Sequence, residues 1–90
     1  MEPLMKKGIN IMRIKGLEVS DLYLAVFIKT KYRLKIVSMK RDGNRITFVF
    51  DLGDSDGEVV VRSFYNGDDM VKANDFVREL KDMKALIHSY

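Results

Sequence analysis

Two stretches of the chain carry a hydrophobic spacing that decides their structure. From Ala73 to Ser89, Phe76, Val77, Leu80, Met83, Leu86 and Ile87 recur at helical intervals with Arg78, Glu79, Lys81 and Asp82 opposite. That stripe predicts an amphipathic helix over about 73–89. Residues 34–40 and 45–51 are rich in strand-favouring side chains and flank Asp42-Gly43, so they read as a β-hairpin. A type I′ turn needs positive φ at both central positions, which Asp tolerates and Gly accepts freely. With Asp42-Gly43 as the loop, Arg41 lies opposite Asn44, Met39 opposite Ile46 and Val37 opposite Phe48. This register puts those last four with Phe50 on the face expected to meet helices, and Ile36 with Val49, Ser38 with Thr47 and Lys40 with Arg45 on the other.

The remaining segments are read from punctuation and composition. Ser20-Asp21 suits a helix start, the serine oxygen accepting a free backbone N–H and the aspartate lying at the positive end of the helix dipole. The helix runs over about 20–30, and Leu22 to Ile28 is apolar on every side. Such a helix is covered on more than one face. In a chain of 90 residues a second copy is the expected cover, with Tyr23, Val26 and Phe27 at the interface of a homodimer. Residues 11–19 read as a strand interrupted at Gly16, and 1–10 as a loose leader ahead of a single domain over 11–90. Met1, Met5 and Met12 are all candidate starts. Val59-Val60-Val61 favours a strand by propensity, whereas Val60, Val61 and Phe64 share a helical face between acidic residues and Asn66-Gly67, so both readings stay open. Met70-Val71 is a candidate short strand.

Composition narrows the class. Nearly half of the residues are hydrophobic and about a third are charged, as in folded proteins. The chain contains no cysteine, which removes disulfides, thiolate metal sites and thiol nucleophiles. The longest apolar run, Leu22 to Ile28, is far short of the roughly 18 residues that span a bilayer. With no secretory h-region either, a cytoplasmic protein without membrane contact is expected. The net charge is only +3, yet residues 1–45 hold 11 of the 16 cations and 4 of the 13 acids. Such asymmetry either presents a basic face to nucleic acid or is neutralised within the fold.

Little catalytic chemistry is offered. The single histidine, His88, lies at the end of the chain, where solvation is the expected state. Asp54-Ser55-Asp56-Gly57 resembles part of a calcium loop, but aligning Gly57 with the sixth position puts Leu52 first and Ser63 twelfth, where carboxylates are required. The six glycines form no phosphate-binding cluster. Tyr23, Tyr32 and Tyr65 could stack on bases, but only Lys31-Tyr32-Arg33 interleaves an aromatic with cations. No cofactor and no metal are expected.

Ser20-Asp21-Leu22-Tyr23-Leu24-Ala25, the hairpin, Phe64-Tyr65-Asn66-Gly67 and Leu80-Lys81-Asp82-Met83-Lys84 resemble, in that order, a family of short bacterial and phage proteins known only as a domain of unknown function. The resemblance covers about residues 17–88 and implies that 55–65 is helical; it supplies no catalytic residue. Leu17 and Val19 stand where that family tends to have an aromatic and a threonine. Lys72 replaces a capping aspartate, leaving Asn74 as the cap candidate for the last helix.

The expected fold is α+β: a small antiparallel sheet centred on the hairpin, extended by one or two short strands and packed against two or three helices (about 20–30, 55–65 and 73–89). The expected function is a non-catalytic protein-interaction or regulatory module, phage or mobile-element associated, with an unidentified protein partner met through the first helix and the hairpin. The alternative is a small nucleic-acid-binding protein using Lys29, Lys31, Arg33, Lys35, Lys40, Arg41 and Arg45. An enzyme is not expected, because the groups that catalysis needs are missing.

Overall fold

A computed structural model describes residues 15–67 and 69–89. The leader, the beginning of the first expected strand and the candidate starts lie outside the described residues. The elements follow as β1 (Gly16–Val19), α1 (Leu22–Lys31), β2 (Lys35–Asp42), β3 (Arg45–Asp51), α2 (Gly57–Asn66) and α3 (Ala73–Ser89). The three strands form one antiparallel sheet in the order β1-β3-β2. This is the expected small α+β fold. The connection after α2 is irregular at Met70-Val71, so no short strand forms there: Met70 is 84% exposed and only Val71 packs against the core.

The hairpin exists, but its register differs from expectation in two ways. Asp42 pairs with Arg45, Arg41 with Ile46 and Met39 with Phe48, so the two loop residues are Gly43 and Asn44. Gly43 has φ +62° while Asn44 does not have positive φ; a glycine alone at the first central position is the type II′ pattern. The register is then interrupted between Ile36 and Ser38. This β-bulge leaves Val37 without a partner and turns Ile36, opposite Phe50, to the same face as Met39. Val37 is consequently 42% exposed, whereas Ile36 packs against the core. The β3 half of the expectation stands, with Ile46, Phe48 and Phe50 all buried.

Each shorter helix begins on an aspartate. Asp21, not Ser20, caps α1, its Oδ1 accepting from the backbone N–H groups of Tyr23 at 2.9 Å and Leu24 at 3.2 Å. Ser20 is directed instead to Thr47, Oγ to Oγ1 at 2.9 Å. Asp56 caps α2, accepting from Glu58 at 2.9 Å and Val59 at 3.5 Å. The acidic loop that resembles a calcium site is therefore a helix start. Helical spacing prevails over strand propensity in Val59-Val60-Val61, with Val60 buried and Val61 and Phe64 packed beside it. α3 begins at Ala73, the Lys72 carbonyl accepting from Phe76 N–H at 3.0 Å. Asn74 thus lies inside the first turn and is not the cap.

The core joins all six elements. Ile46, Phe48 and Phe50 of β3 and Val19 of β1 meet Leu24 to Ile28 of α1, Val60 of α2 and Met83 of α3. α1 is the central helix: it packs along α3 and also touches α2 and β1. Lys29 and Arg33 stand beside Asp75 and Glu79, while Leu22 stands beside Ile87, so α1 and α3 run antiparallel. Phe48 and Phe50, at 1% and 0% exposed, each contribute on the order of 1.5–3 kcal/mol by leaving water.

That arrangement corrects the expectation for α1. Val26 and Phe27 are 0% and 5% exposed within the single chain, so they are not free to form an interface. Phe27 lies against Phe64 of α2 at 5.3 Å and Tyr32 at 6.1 Å between ring centroids. The second cover comes from the chain's own sheet and helices. Of the three expected interface residues only Tyr23, 56% exposed, remains on the surface.

Candidate functional site

The seven basic residues expected to serve nucleic acid fall into two groups. Lys29, Lys31 and Arg33 surround the C-terminal end of α1, whereas Lys40, Arg41 and Arg45 lie at the hairpin turn, with Lys35 at the far end of β2. The six steps from Lys35 to Arg41 span about 20 Å at strand rise. Acidic residues are interleaved with most of them. Lys31 Nζ stands 3.9 Å from Asp69, and Lys40 Nζ donates to Glu18 at 3.0 Å. In the sheet register Lys35 is paired with Asp51 and Arg45 with Asp42. Lys29 and Arg33 share a groove of about 270 Å³ with Asp75, Arg78 and Glu79, in which Arg78 is bonded to Asp75 at 2.7 Å. Six of these seven cations are thus set among carboxylates, many from the second half, and the seven form no continuous basic face among the described residues.

Arg33 has a backbone role. Its φ of +57° is the only positive value among described non-glycine residues. The Ile28 carbonyl accepts from both Tyr32 and Arg33 N–H groups at 3.0 Å, and this left-handed residue then turns the chain out of α1 toward β2. Tyr32 closes the same end. Ser63 Oγ donates to the Val60 carbonyl at 2.8 Å, so the 2.9 Å contact between Tyr32 and Ser63 is donated by the tyrosine hydroxyl. Tyr32 therefore ties α1 to α2 and is half-buried rather than presented for stacking. His88 is exposed in the last turn of α3. Among the described residues no three acidic or histidine side chains converge as metal ligands, and no helix is long and apolar enough to cross a membrane.

The site that combines apolar surface with a free polar group lies at the hairpin end of the helix layer. Its hollow measures about 220 Å³, with Leu22 of α1, Ile46 and Phe48 of β3 and Ile87 of α3 as its floor. Ser20, Arg41 and Asn44 form its rim. Pairing with Ile46 puts Arg41 on the sheet face that the helices cover, but beyond the reach of that cover, where the side chain is exposed. The Arg41 side chain makes no ion pair or hydrogen bond with a described residue. Nearby Asp21 is engaged in capping α1, and Asp42 belongs to the opposite sheet face by its register. The positive end of α1 and the negative end of α3 both reach the hollow, so their dipoles oppose and Arg41 supplies its net charge.

The floor residues were legible in the sequence only as core. Arg41 carried one usable signal: an odd-numbered position in β2 beyond Met39, it shares the inward face of the hairpin. Comparisons with protein-family models, curated proteins and solved structures give no match for this chain.

Proposed function

We propose that this chain is a non-catalytic protein-interaction module whose receiving surface is the hollow between α1, the hairpin and α3. The observation that carries this reading is Arg41, an inward-facing cation without a partner among the described residues, above an apolar floor. Apolar concavities with a few convergent polar groups are the usual form of binding sites, and arginine is enriched where protein surfaces meet. Self-association through Val26 and Phe27 is not retained, since both are covered within the chain. Nor is nucleic-acid binding, because acids stand among the basic residues.

Selection of a peptide library displayed with free C-termini on the full-length chain tests the reading. Enriched peptides should perturb the methyl NMR signals of Leu22, Ile46 and Ile87 and leave those of Val59 in α2 unchanged. Absence of enrichment, or binders that map to α2, would overturn it. Sedimentation equilibrium at micromolar concentration should give a monomer. A band shift with DNA or RNA at about 50 mM salt, where phosphate contacts are strongest, would restore the nucleic-acid reading.

A further inference from the structure

We propose that the hollow recognises the free C-terminal carboxylate of a protein chain whose last residue is large and apolar. This deepens the interaction reading above and rests on it. The first argument is size. At about 220 Å³ the hollow lies below the roughly 300–1,000 Å³ of sites for drug-sized ligands, so it admits one side chain rather than an extended apolar segment. The second is charge. The single ionic group at the rim without a partner is the Arg41 guanidinium, whose planar fork fits a carboxylate through two parallel hydrogen bonds.

The third argument is the distance between the two features. Arg41 pairs directly with Ile46, so the cation and the apolar floor are cross-strand neighbours, about 4.5–5.5 Å apart at Cβ. The guanidinium lies at the end of the arginine side chain, beyond this Cβ spacing, so a ligand that satisfies both carries an anion and an apolar group within the reach of a single residue. The last residue of a chain has this arrangement, because its carboxylate and its side chain leave the same Cα. An internal aspartate or glutamate lacks it: its carboxylate ends its own side chain, and the apolar group belongs to another residue. Asn44, on the same rim, has an amide that can accept from the ligand's last peptide N–H and donate to its carboxylate.

Four small probes isolate this chemistry: N-acetyl-leucine, its carboxamide, 4-methylpentanoic acid, and N-acetyl-glutamate, each titrated into the isotope-labelled full chain and followed by NMR. N-acetyl-leucine should shift Leu22, Ile46 and Ile87 with millimolar affinity. The carboxamide should bind about tenfold more weakly, the loss of one charge-assisted pair. 4-Methylpentanoic acid, without the peptide N–H, and N-acetyl-glutamate, without the apolar group, should both bind more weakly than N-acetyl-leucine. Arg41→Gln, on an exposed side chain, should abolish the difference between acid and amide while leaving the folded spectrum intact. Arg41→Lys should restore part of it. Equal binding of acid and amide would overturn the inference, as would equal binding of 4-methylpentanoic acid, preference for N-acetyl-glutamate, or no shift with N-acetyl-leucine at all. If library peptides occupy the hollow through internal positions, the carboxylate inference fails and the interaction reading stands; if nothing occupies it, both fail.

Discussion

α1 and α2 have the same length, ten residues, and a similar start, yet they relate to the core in opposite ways. α1 buries five consecutive residues, Leu24 to Ile28, whereas α2 buries only Val60 and exposes Val59 and Tyr65 at 50% and 65%. The sequence of α1 is apolar around its circumference because the sheet, α2 and α3 surround it. α2 carries Glu58, Arg62 and Asn66 on its outer side because one neighbour, α1, supplies most of its cover. The difference shows that a chain this short can enclose the middle of a central helix, Leu24 to Ile28, at the expense of leaving its flanking helices half-covered. Stability is therefore concentrated in α1.

The most severe way to break the comparison is in the core. Phe27→Ala should destabilise the domain by about 3–5 kcal/mol and leave little folded protein, while Val59→Ala should change stability by no more than about 0.5 kcal/mol. Urea denaturation of both variants checks this, and comparable losses would show that α2 is as well covered as α1.

Both helices end in left-handed geometry, but with different residues: Gly67 at φ +70° after α2 and Arg33 at φ +57° after α1. A Cβ at Gly67 would meet nothing within 4 Å, so Gly67→Ala should cost about 1–2 kcal/mol through the backbone alone. The reciprocal change, Arg33→Gly, relieves that same strain but loosens the unfolded chain, so a smaller gain of about 0.5 kcal/mol is expected. Thermal unfolding of the two variants should shift in opposite directions.

The two aspartate caps sharpen the contrast between them. Asp21→Ala and Asp56→Ala should each cost about 1 kcal/mol. Hydrogen exchange should separate them: loss of the Asp56 cap accelerates exchange locally in the first turn of α2, whereas loss of the Asp21 cap appears as a uniform decrease across the core. The smallest effect belongs to the sheet surface. Lys40→Ala removes an ion pair whose partners are 58% and 62% exposed, and the expected loss is within about 0.5 kcal/mol and falls with added salt.

Much of this fold was legible because its signals are local. The stripe through Phe76, Leu80, Met83 and Ile87 needs only helical spacing, and Asp-Gly-Asn between strand-rich segments needs only the chemistry of a tight turn. α2 was ambiguous for the same local reason: three β-branched valines oppose a cap and a glycine stop, and the balance tips only when Val60 and Phe64 find α1. The register slipped by one because Asp42-Gly43 and Gly43-Asn44 are both acceptable loops. Choosing between them depends on which β2 residues the helices cover. The candidate site was half-legible. The inward position of Arg41 follows from alternation along the strand, but the hollow beneath it depends on Leu22 and Ile87, 65 positions apart in the chain.

By itself, then, the sequence determined the amphipathic helix over 73–89, the two strands of the hairpin, the helix start at Ser20-Asp21 and that no thiol chemistry is available, since these depend on spacing, caps, turns and composition within a few residues. Tertiary structure alone decided that Val26 and Phe27 face inward, that Val37 is pushed out by a bulge in favour of Ile36, and that Lys29, Lys31, Arg33, Lys35, Lys40 and Arg45 settle among acids. Each of these outcomes depends on what lies across the core or the sheet. Burial is a property of the neighbours, and in this chain the neighbours come from the far end of the sequence.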